Sequence, residues 1–175
     1  MCCGLNSAAA GRGLPMRIDL VAIGKLKDGP ERELYARYAE RFTALGRGHA
    51  LGPLKLVELP ESRSSNAAER KTDEAARALK AVGATRRIIL LDERGKSLTS
   101  QGFADLIRRE RDSGAEALAL VIGGPDGHGE AMRPAAMLEL SLGAMTMAHG
   151  LARVVLAEQL YRAATIIAGH PYHRA

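Results

Sequence analysis

Short β-rich segments alternate with longer amphipathic segments along this chain, and that alternation limits the fold more than any other feature. Strands are predicted over 17–23, 54–59, 87–92 and 118–122, with a fifth strand or strand-like loop over 140–147. Segments with helical periodicity separate them and follow the last one. A chain of this kind places its strands in a mostly parallel sheet with helices on both faces. The sequence therefore predicts an α/β fold.

Two of the predicted helices begin with recognisable signals. Pro30 opens the first helix, which carries Leu34 and Phe42 on its expected inner face and ends at Gly46. Asn66, with Glu69 three residues later, has the spacing of a capping box. In a capping box the side chain of each of the two residues accepts the backbone N–H of the other. This pattern predicts the start of a second helix.

The second half of the chain continues the same pattern. Residues 92–96 (DERGK) predict a turn after the third strand. Thr99 is predicted to be the N-cap residue of a third helix. A short helix is expected over 130–137. The last long helix is predicted over 151–168, because Pro171 cannot continue it.

Length and composition suit a single globular domain. The chain has 175 residues, of which 46% are hydrophobic and 26% are charged, with a formal net charge of +5. Only 3% are aromatic, which excludes the binding of single strands on a platform of stacked aromatic rings. The longest apolar runs, over 118–122 and 151–156, are far shorter than the ~20 residues that a membrane helix needs. No membrane association is predicted.

The first fifteen residues differ from the rest in being small and polar. They lack the apolar stretch of a signal peptide. We interpret residues 1–15 as a disordered extension or a start-site artefact, with Met16 as the functional beginning of one domain over 16–175. The only cysteines, Cys2 and Cys3, are adjacent and cannot staple a fold, so the chain is predicted to be cytoplasmic.

Residues 123–129 (GGPDGHG) form the strongest local candidate for a ligand site. Four glycines directly after a buried strand let the backbone approach a ligand closely. The segment is neither a dinucleotide-binding G-x-G-x-x-G motif nor a P-loop. A tight turn between a strand and a helix is the alternative interpretation.

Residues 170–174 (HPYHR) gather two imidazoles, a phenol and a guanidinium. Such groups transfer protons near neutral pH and bond phosphates or bases. On the preceding helix, Glu158 and Arg162 are four residues apart and can pair. A frayed tail without function is the alternative. Two histidines without a third ligand do not make a zinc site, so no metal is predicted.

Several segments in this order resemble the RlmH family of SPOUT methyltransferases. They are MRIDLVAIGK at 16–25, LLDERGK at 90–96, LALVIGGPDGHG at 118–129, SLGAMTMAHGLARVVLAEQLYRA at 141–163 and the terminal HPYHR. The resemblance covers almost the whole chain after the first fifteen residues. It implies methylation of the N3 of a pseudouridine in 23S ribosomal RNA of assembled ribosomes.

The resemblance also implies a fold and a cofactor. The C-terminal part of the α/β domain is expected to form a deep trefoil knot that holds S-adenosylmethionine, the methyl donor. The residues implied as cofactor contacts are Leu91, Asp92, Gly123, Gly124, Gly143, Ala144, Met145, Thr146, Met147 and Ala148.

The catalytic and RNA-binding residues implied by the resemblance lie on the last helix and the tail. Tyr172, His173, Glu158 and Arg162 are the catalytic candidates, with His173 and Tyr172 orienting or deprotonating the base and Glu158 as a second acceptor. The candidates for RNA contacts are His149, Arg153, His170 and Arg174.

The family acts as a homodimer, which implies that the tail of one subunit completes the active site of the other. Leu151, Val155 and Leu160 are the expected dimer-face residues.

The sequence departs from the family pattern at Gly143, where serine is commoner, at Ala148, where proline is usual, and at Ala175, where glutamate is usual. Two alternatives are a non-catalytic ribosome-binding protein of the same fold and a nucleotide-dependent oxidoreductase. Against the second alternative, the sequence lacks the G-x-G-x-x-G motif that is typical of such oxidoreductases.

Overall fold

A computed structural model describes residues 14–85 and 87–173 of the chain. The strands are β1 (Met16–Ile23), β2 (Leu51–Leu59), β3 (Ile88–Ser97), β4 (Ala117–Ile122) and β5 (Leu138–Ser141). The helices are α1 (Pro30–Gly46), α2 (Ala67–Val82), α3 (Ser100–Asp112) and α4 (His149–Ile167), with short 3-10 turns at Arg47–His49, Glu130–Met132 and Pro171–His173. Of the predicted N-terminal extension, residues 1–13 lie outside the described residues.

The five strands form one sheet in the order β2-β1-β4-β3-β5, and every neighbouring pair is parallel. This confirms the predicted α/β class. All six residues of β4, at the centre of the sheet, are buried, as expected for a strand covered on both faces. The trefoil knot stays a prediction.

Helices cover the two faces of the sheet unequally. On one face α1, α3 and α4 pack together, and Phe42, Phe103 and Leu156 are among their buried residues. On the other face α2 packs over Val21 and Val121. The carboxyl ends of the strands remain open at one edge of these layers, where parallel sheets bind ligands.

Residues 92–96 do not form the predicted turn. They continue β3 through an irregularity in register, after which Lys96 pairs with Leu140 and Ser97 with Ser141 of β5. A Cβ at Gly95 would lie 2.6 Å from the carbonyl carbon of Glu139, so glycine allows the two strands to approach. The segment is polar because this half of β3 is largely exposed, and polarity is what made it resemble a turn.

Four other predictions also differ in detail. Leu34 is 38% exposed and Tyr35 occupies the inner face of α1 in its place. Asn66 does cap α2, but Glu69 accepts the hydroxyl of Ser64 (2.6 Å) and does not return a bond to Asn66. The helix expected over 130–137 is a single 3-10 turn, and the fifth strand ends at Ser141, so that a loop follows it.

No helix in the described part of the chain is both long enough and apolar enough to span a membrane.

Candidate functional site

A cavity of about 570 Å³ opens at the carboxyl ends of β4 and β5, beside the middle of β3. Its walls are residues 91–94 of β3, the glycine-rich loop after β4, the loop after β5 and the first turn of α4. Both the volume and the position are typical of sites for small ligands in α/β proteins.

Nine of the ten residues predicted to bind a cofactor line this cavity, although they come from three separate segments of the chain. They are Leu91, Asp92, Gly123, Gly124, Gly143, Met145, Thr146, Met147 and Ala148. Ala144 belongs to the same loop but is not among the lining residues. The structure thus brings together the residues that the cofactor prediction requires.

The glycine-rich loop is held by its own backbone and by α2. Gly127 has a φ of +81° and donates its N–H to the carbonyl of Gly124 at 2.9 Å. Asp126 accepts two hydrogen bonds from Arg70 on α2, at 2.7 and 3.1 Å. The bonds from Arg70 lower the pKa of Asp126. Side chains of α2 therefore fix the outer edge of the cavity.

His128 joins this loop to the middle of β3. Its Nε2 lies 2.9 Å from the carbonyl oxygen of Leu91 and donates to it, since a carbonyl can only accept. Burial lowers the pKa of His128, so the neutral ring leaves Nδ1 as an acceptor beside Gly123. The sequence analysis gave His128 no role of its own, and its only signal was its place in the loop after a buried strand.

An ion-pair network supports the opposite wall. Arg133 lies 3.0 Å from Asp92 and also bonds Glu139, while Asp92 accepts the N–H of Arg94 at 2.9 Å. Partial burial raises the pKa of Asp92, but the bonds from Arg94 and Arg133 outweigh it and lower the pKa overall. Asp92 is therefore a carboxylate at neutral pH. Arg133 is a second residue that the sequence analysis missed.

His149, predicted to contact RNA, lines the cavity at the start of α4. Burial and the nearby charge of Arg153 lower the pKa of His149, while the charge of Glu61 acts in the opposite direction. Its contact with RNA stays a prediction.

The predicted RNA contact of Arg153 is wrong, because its side chain is only 2% exposed. Its guanidinium bonds the carboxylate of Glu58 at 2.9 Å and the carbonyls of Ile23 and Gly24 at 3.2 and 2.8 Å. No donor is left facing solvent for a phosphate. Arg153 instead ties α4 to the ends of β1 and β2.

Three of the predicted catalytic residues meet further along α4. Glu158 accepts bonds from Arg162 at 2.6 and 3.0 Å and from the hydroxyl of Tyr172 at 3.3 Å. The guanidinium carbon of Arg162 lies 5.1 Å from the centre of the Tyr172 ring. Burial, followed by the charge of Glu158, raises the pKa of Tyr172 to about 12. We call Glu158, Arg162 and Tyr172 the tail cluster.

The tail cluster is separate from the cavity within one chain. Glu158 lies nine residues after His149 on the same helix, which corresponds to roughly 13 Å along the axis. His170 is exposed and accepts the backbone N–H of Tyr172 at 3.2 Å. The side chain of His173 and the whole of Arg174 lie outside the described residues.

Only some of the side chains in the predicted dimer face are exposed on the surface of the chain. Leu151 is 50% exposed and Val155 is half-buried. Leu160 is completely buried in the core of its own chain, so its assignment to a dimer face is wrong.

Within residues 14–85 and 87–173, no group of three or more histidine, cysteine or acidic side chains is arranged to hold a metal ion.

Comparison with known proteins gives consistent matches. A family model described as a predicted SPOUT methyltransferase matches residues 16–173. Ribosomal RNA large subunit methyltransferase H of Brucella anthropi is 52% identical over 160 residues, which span 91% of this chain and 100% of that protein. The protein of the same name from Sinorhizobium fredii is 51% identical over 160 residues, with the same coverage.

Among solved structures, the crystal structure of a probable methyltransferase from Bordetella pertussis Tohama I matches with a TM-score of 0.50. It covers 85% of this chain and 95% of that one at 16% identity. A likeness at this identity concerns the fold alone.

Proposed function

The chain belongs to the SPOUT methyltransferase family, and from this premise we propose that it methylates ribosomal RNA of the large subunit with S-adenosylmethionine as methyl donor. Residues 16–175 form the catalytic domain, and the target is the N3 of a pseudouridine in 23S rRNA of assembled ribosomes. The enzyme works in the cytoplasm as a homodimer. Relatives that share half of its residues along their whole length and are named as large subunit rRNA methyltransferases support the substrate class.

The observation that carries this proposal is the glycine-lined cavity at the strand ends. Its volume of about 570 Å³ suits a ligand of the size of a nucleoside with an amino acid attached. The lining mixes apolar side chains, such as Leu91 and Leu140, with backbone groups of Gly123 and Gly124. Apolar walls fit a purine ring, and backbone groups of the glycine-rich loop fit its polar edge and the ribose hydroxyls.

The residues that would hold the cofactor are Leu91 and Asp92 of β3, the glycine-rich loop and the loop over 143–148. Bound there, S-adenosylmethionine supplies a methyl group activated by a positively charged sulfur. The protein's own task is to position the base and to remove the proton from its ring nitrogen.

The tail cluster supplies groups for that task. Tyr172, with a pKa raised to about 12, keeps its proton at neutral pH and acts as a hydrogen-bond donor that orients the base. His173 is the first candidate to accept the proton of the base, and Glu158, whose carboxyl oxygen lies 3.3 Å from the Tyr172 hydroxyl, is the second. Arg162 is held against Glu158, where its guanidinium can bond a uracil carbonyl.

The distance between the tail cluster and the cavity supports action across two subunits. Since the two lie apart along α4 in one chain, a partner's tail is needed beside the cavity to complete the site. Leu151 and Val155, beside the cavity on the exposed part of α4, form the contact in this proposal.

The test is transfer of a labelled methyl group from S-adenosylmethionine to ribosomes that lack the modification, with naked 23S rRNA alongside. Nucleoside analysis should show N3-methylpseudouridine on ribosomes, and Tyr172→Phe and His173→Ala should each lower the rate at least ~10²-fold. A product at another base or on another RNA would overturn the assigned substrate. Cofactor binding without any transfer would favour a ribosome-binding protein that has kept the fold.

A further inference from the structure

Glu74, on α2, is a buried carboxylate with only one of its oxygens bonded. Its side chain is 4% exposed, and Oε1 accepts the backbone N–H of Ser62 at 2.8 Å. Oε2 is buried and has no hydrogen-bond partner in the part of the chain that the structure describes. The neighbouring cations on the same helix, Arg70 and Arg77, pair with Asp126 and Asp73. Glu74 itself forms no ion pair among the described residues, although Arg70 lies close enough for the two charges to interact.

Such a group is costly to keep in a protein interior. Removing a carboxylate from water is repaid only when ion pairs or several hydrogen bonds replace the water. A glutamine of the same shape would keep the Oε1 bond to Ser62 without burying a charge. A buried glutamate with one unbonded oxygen thus needs a reason outside the packing of α2.

The position of Glu74 relative to the cavity offers that reason. Its carboxylate lies so close to Gly124 that a Cβ there would overlap Oε2. A space of about 10 Å³ behind the loop is lined by Glu74, Gly123 and Gly124, and the same two glycines line the cavity on their other side. The backbone of these glycines therefore lies between the Glu74 carboxylate and the cavity.

We propose that Glu74 is a specificity residue whose charge favours the cationic methyl donor over its uncharged product. This inference rests on the proposed function. S-adenosylmethionine carries a positive sulfur, whereas S-adenosylhomocysteine has a neutral thioether, so the two ligands differ by one methyl group and one charge. A negative charge across a thin layer of backbone attracts only the first strongly. Loss of the methyl group then removes this attraction and favours release of the product.

The test is the affinity of the full chain for each ligand, measured by calorimetry at low salt. We expect Glu74→Gln to weaken the binding of S-adenosylmethionine about fivefold and to change the affinity for S-adenosylhomocysteine less than twofold. Effects of this size are expected for a single charge at moderate distance. Glu116→Gln is the matched control, because this exposed glutamate precedes β4 at the opposite edge of the sheet. It should leave both affinities unchanged.

A charge effect and a packing effect give different results. If Glu74→Gln weakens both ligands equally, or neither, the inference is wrong. Should that variant fail to fold, Glu74→Asp and Glu74→Asn are compared, since they have one shape and differ in charge. If Glu74→Asp and Glu74→Asn show the same preference for S-adenosylmethionine over S-adenosylhomocysteine, the inference is also wrong. Absence of binding of either ligand to the unaltered protein would instead contradict the proposed function itself.

Discussion

His128 and His149 face one cavity from two different segments, the loop after β4 and the first turn of α4. In both, burial lowers the pKa below the ordinary 6.5, so both rings are neutral near pH 7. The bond from His128 to the carbonyl of Leu91 requires Nε2–H and leaves Nδ1 free to accept. Residue identity alone does not determine this protonation state, because it depends on which segments surround the ring.

The depressed pKa of His128 predicts a dependence of stability on pH. Between the folded and unfolded pKa values, the unfolded chain binds more protons, so stability rises with pH there and is lost as the pH falls through about 6.5. His128→Gln cannot titrate and should lose less stability than the unaltered protein between pH 7.5 and 5.5. Urea unfolding at the two pH values measures this. Equal losses in both proteins would show that protonation of His128 is not coupled to folding.

Because the hydrogen bonds of Arg153 are buried, we expect substitution of this residue to lower the stability of the fold and not to act through a contact with RNA. Arg153→Met leaves the Glu58 carboxylate and the carbonyls of Ile23 and Gly24 without this donor. We expect a loss of about 3–5 kcal/mol in the free energy of unfolding, typical of breaking a buried pair. Arg162→Met, which breaks a more exposed pair, should cost under about 1 kcal/mol. Similar losses in the two variants would contradict the burial argument.

At the scale of elements, the pairing of β3 with β5 forms one wall of the cavity. β3 contacts β4 only as far as Leu91 and contacts β5 again at Lys96 and Ser97. The irregularity between these contacts places Asp92 beside Arg133 and the cavity. A polar segment of sequence predicts a turn, but a strand with one exposed face has the same composition.

Gly95 tests the importance of this pairing. Gly95→Ala introduces a Cβ 2.6 Å from the backbone of Glu139, so β3 and β5 must separate. We expect a loss of about 1–3 kcal/mol in stability, as for overpacking elsewhere, and weaker binding of S-adenosylmethionine. Thermal unfolding and calorimetry measure the two effects.

Gly48→Ala is the matched control for Gly95→Ala. No atom lies within 4 Å of a Cβ at Gly48, so neither stability nor cofactor affinity should fall. A Gly95→Ala variant that behaves like this control would show that the strands can move apart without cost.

At the scale of the whole molecule, α4 contributes residues to both the cavity and the tail cluster, but at different places along its length. The first turn of α4 lines the cavity, and the tail cluster begins at Glu158. One chain therefore holds a proposed cofactor cavity and a tail cluster that do not meet, and assembly of two chains is the proposed means of joining them.

Substitutions at Leu151 and Leu160 distinguish an effect on dimer assembly from an effect on folding. Leu151 is 50% exposed, so Leu151→Asp should leave the circular dichroism spectrum unchanged while it shifts a dimer to monomers in analytical ultracentrifugation and abolishes methyl transfer. Leu160 is fully buried, and Leu160→Ala should cost about 2–5 kcal/mol of stability. A Leu151→Asp protein that stays dimeric would place the dimer contact elsewhere.

Local sequence determined most elements of this protein and indicated the segments that line its cavity. Hydrophobic runs, caps and glycines are local signals, so four strands, the cap at Asn66 and the glycine-rich loop after β4 were predicted from neighbouring residues alone. The family resemblance added the residues of the cofactor loop, and most of them line the cavity.

Only the tertiary structure decided which charged groups are free to act. Arg153 and Arg162 belong to the same helix, and the sequence predicted RNA or base contacts for both. The fold buries the first against Glu58 and leaves the second partly exposed beside Tyr172. The unbonded oxygen of Glu74 and the pairing of Arg133 with Asp92 likewise arise where distant segments meet. Burial and charge pairing are set by residues far apart in the chain, and no local pattern contains them.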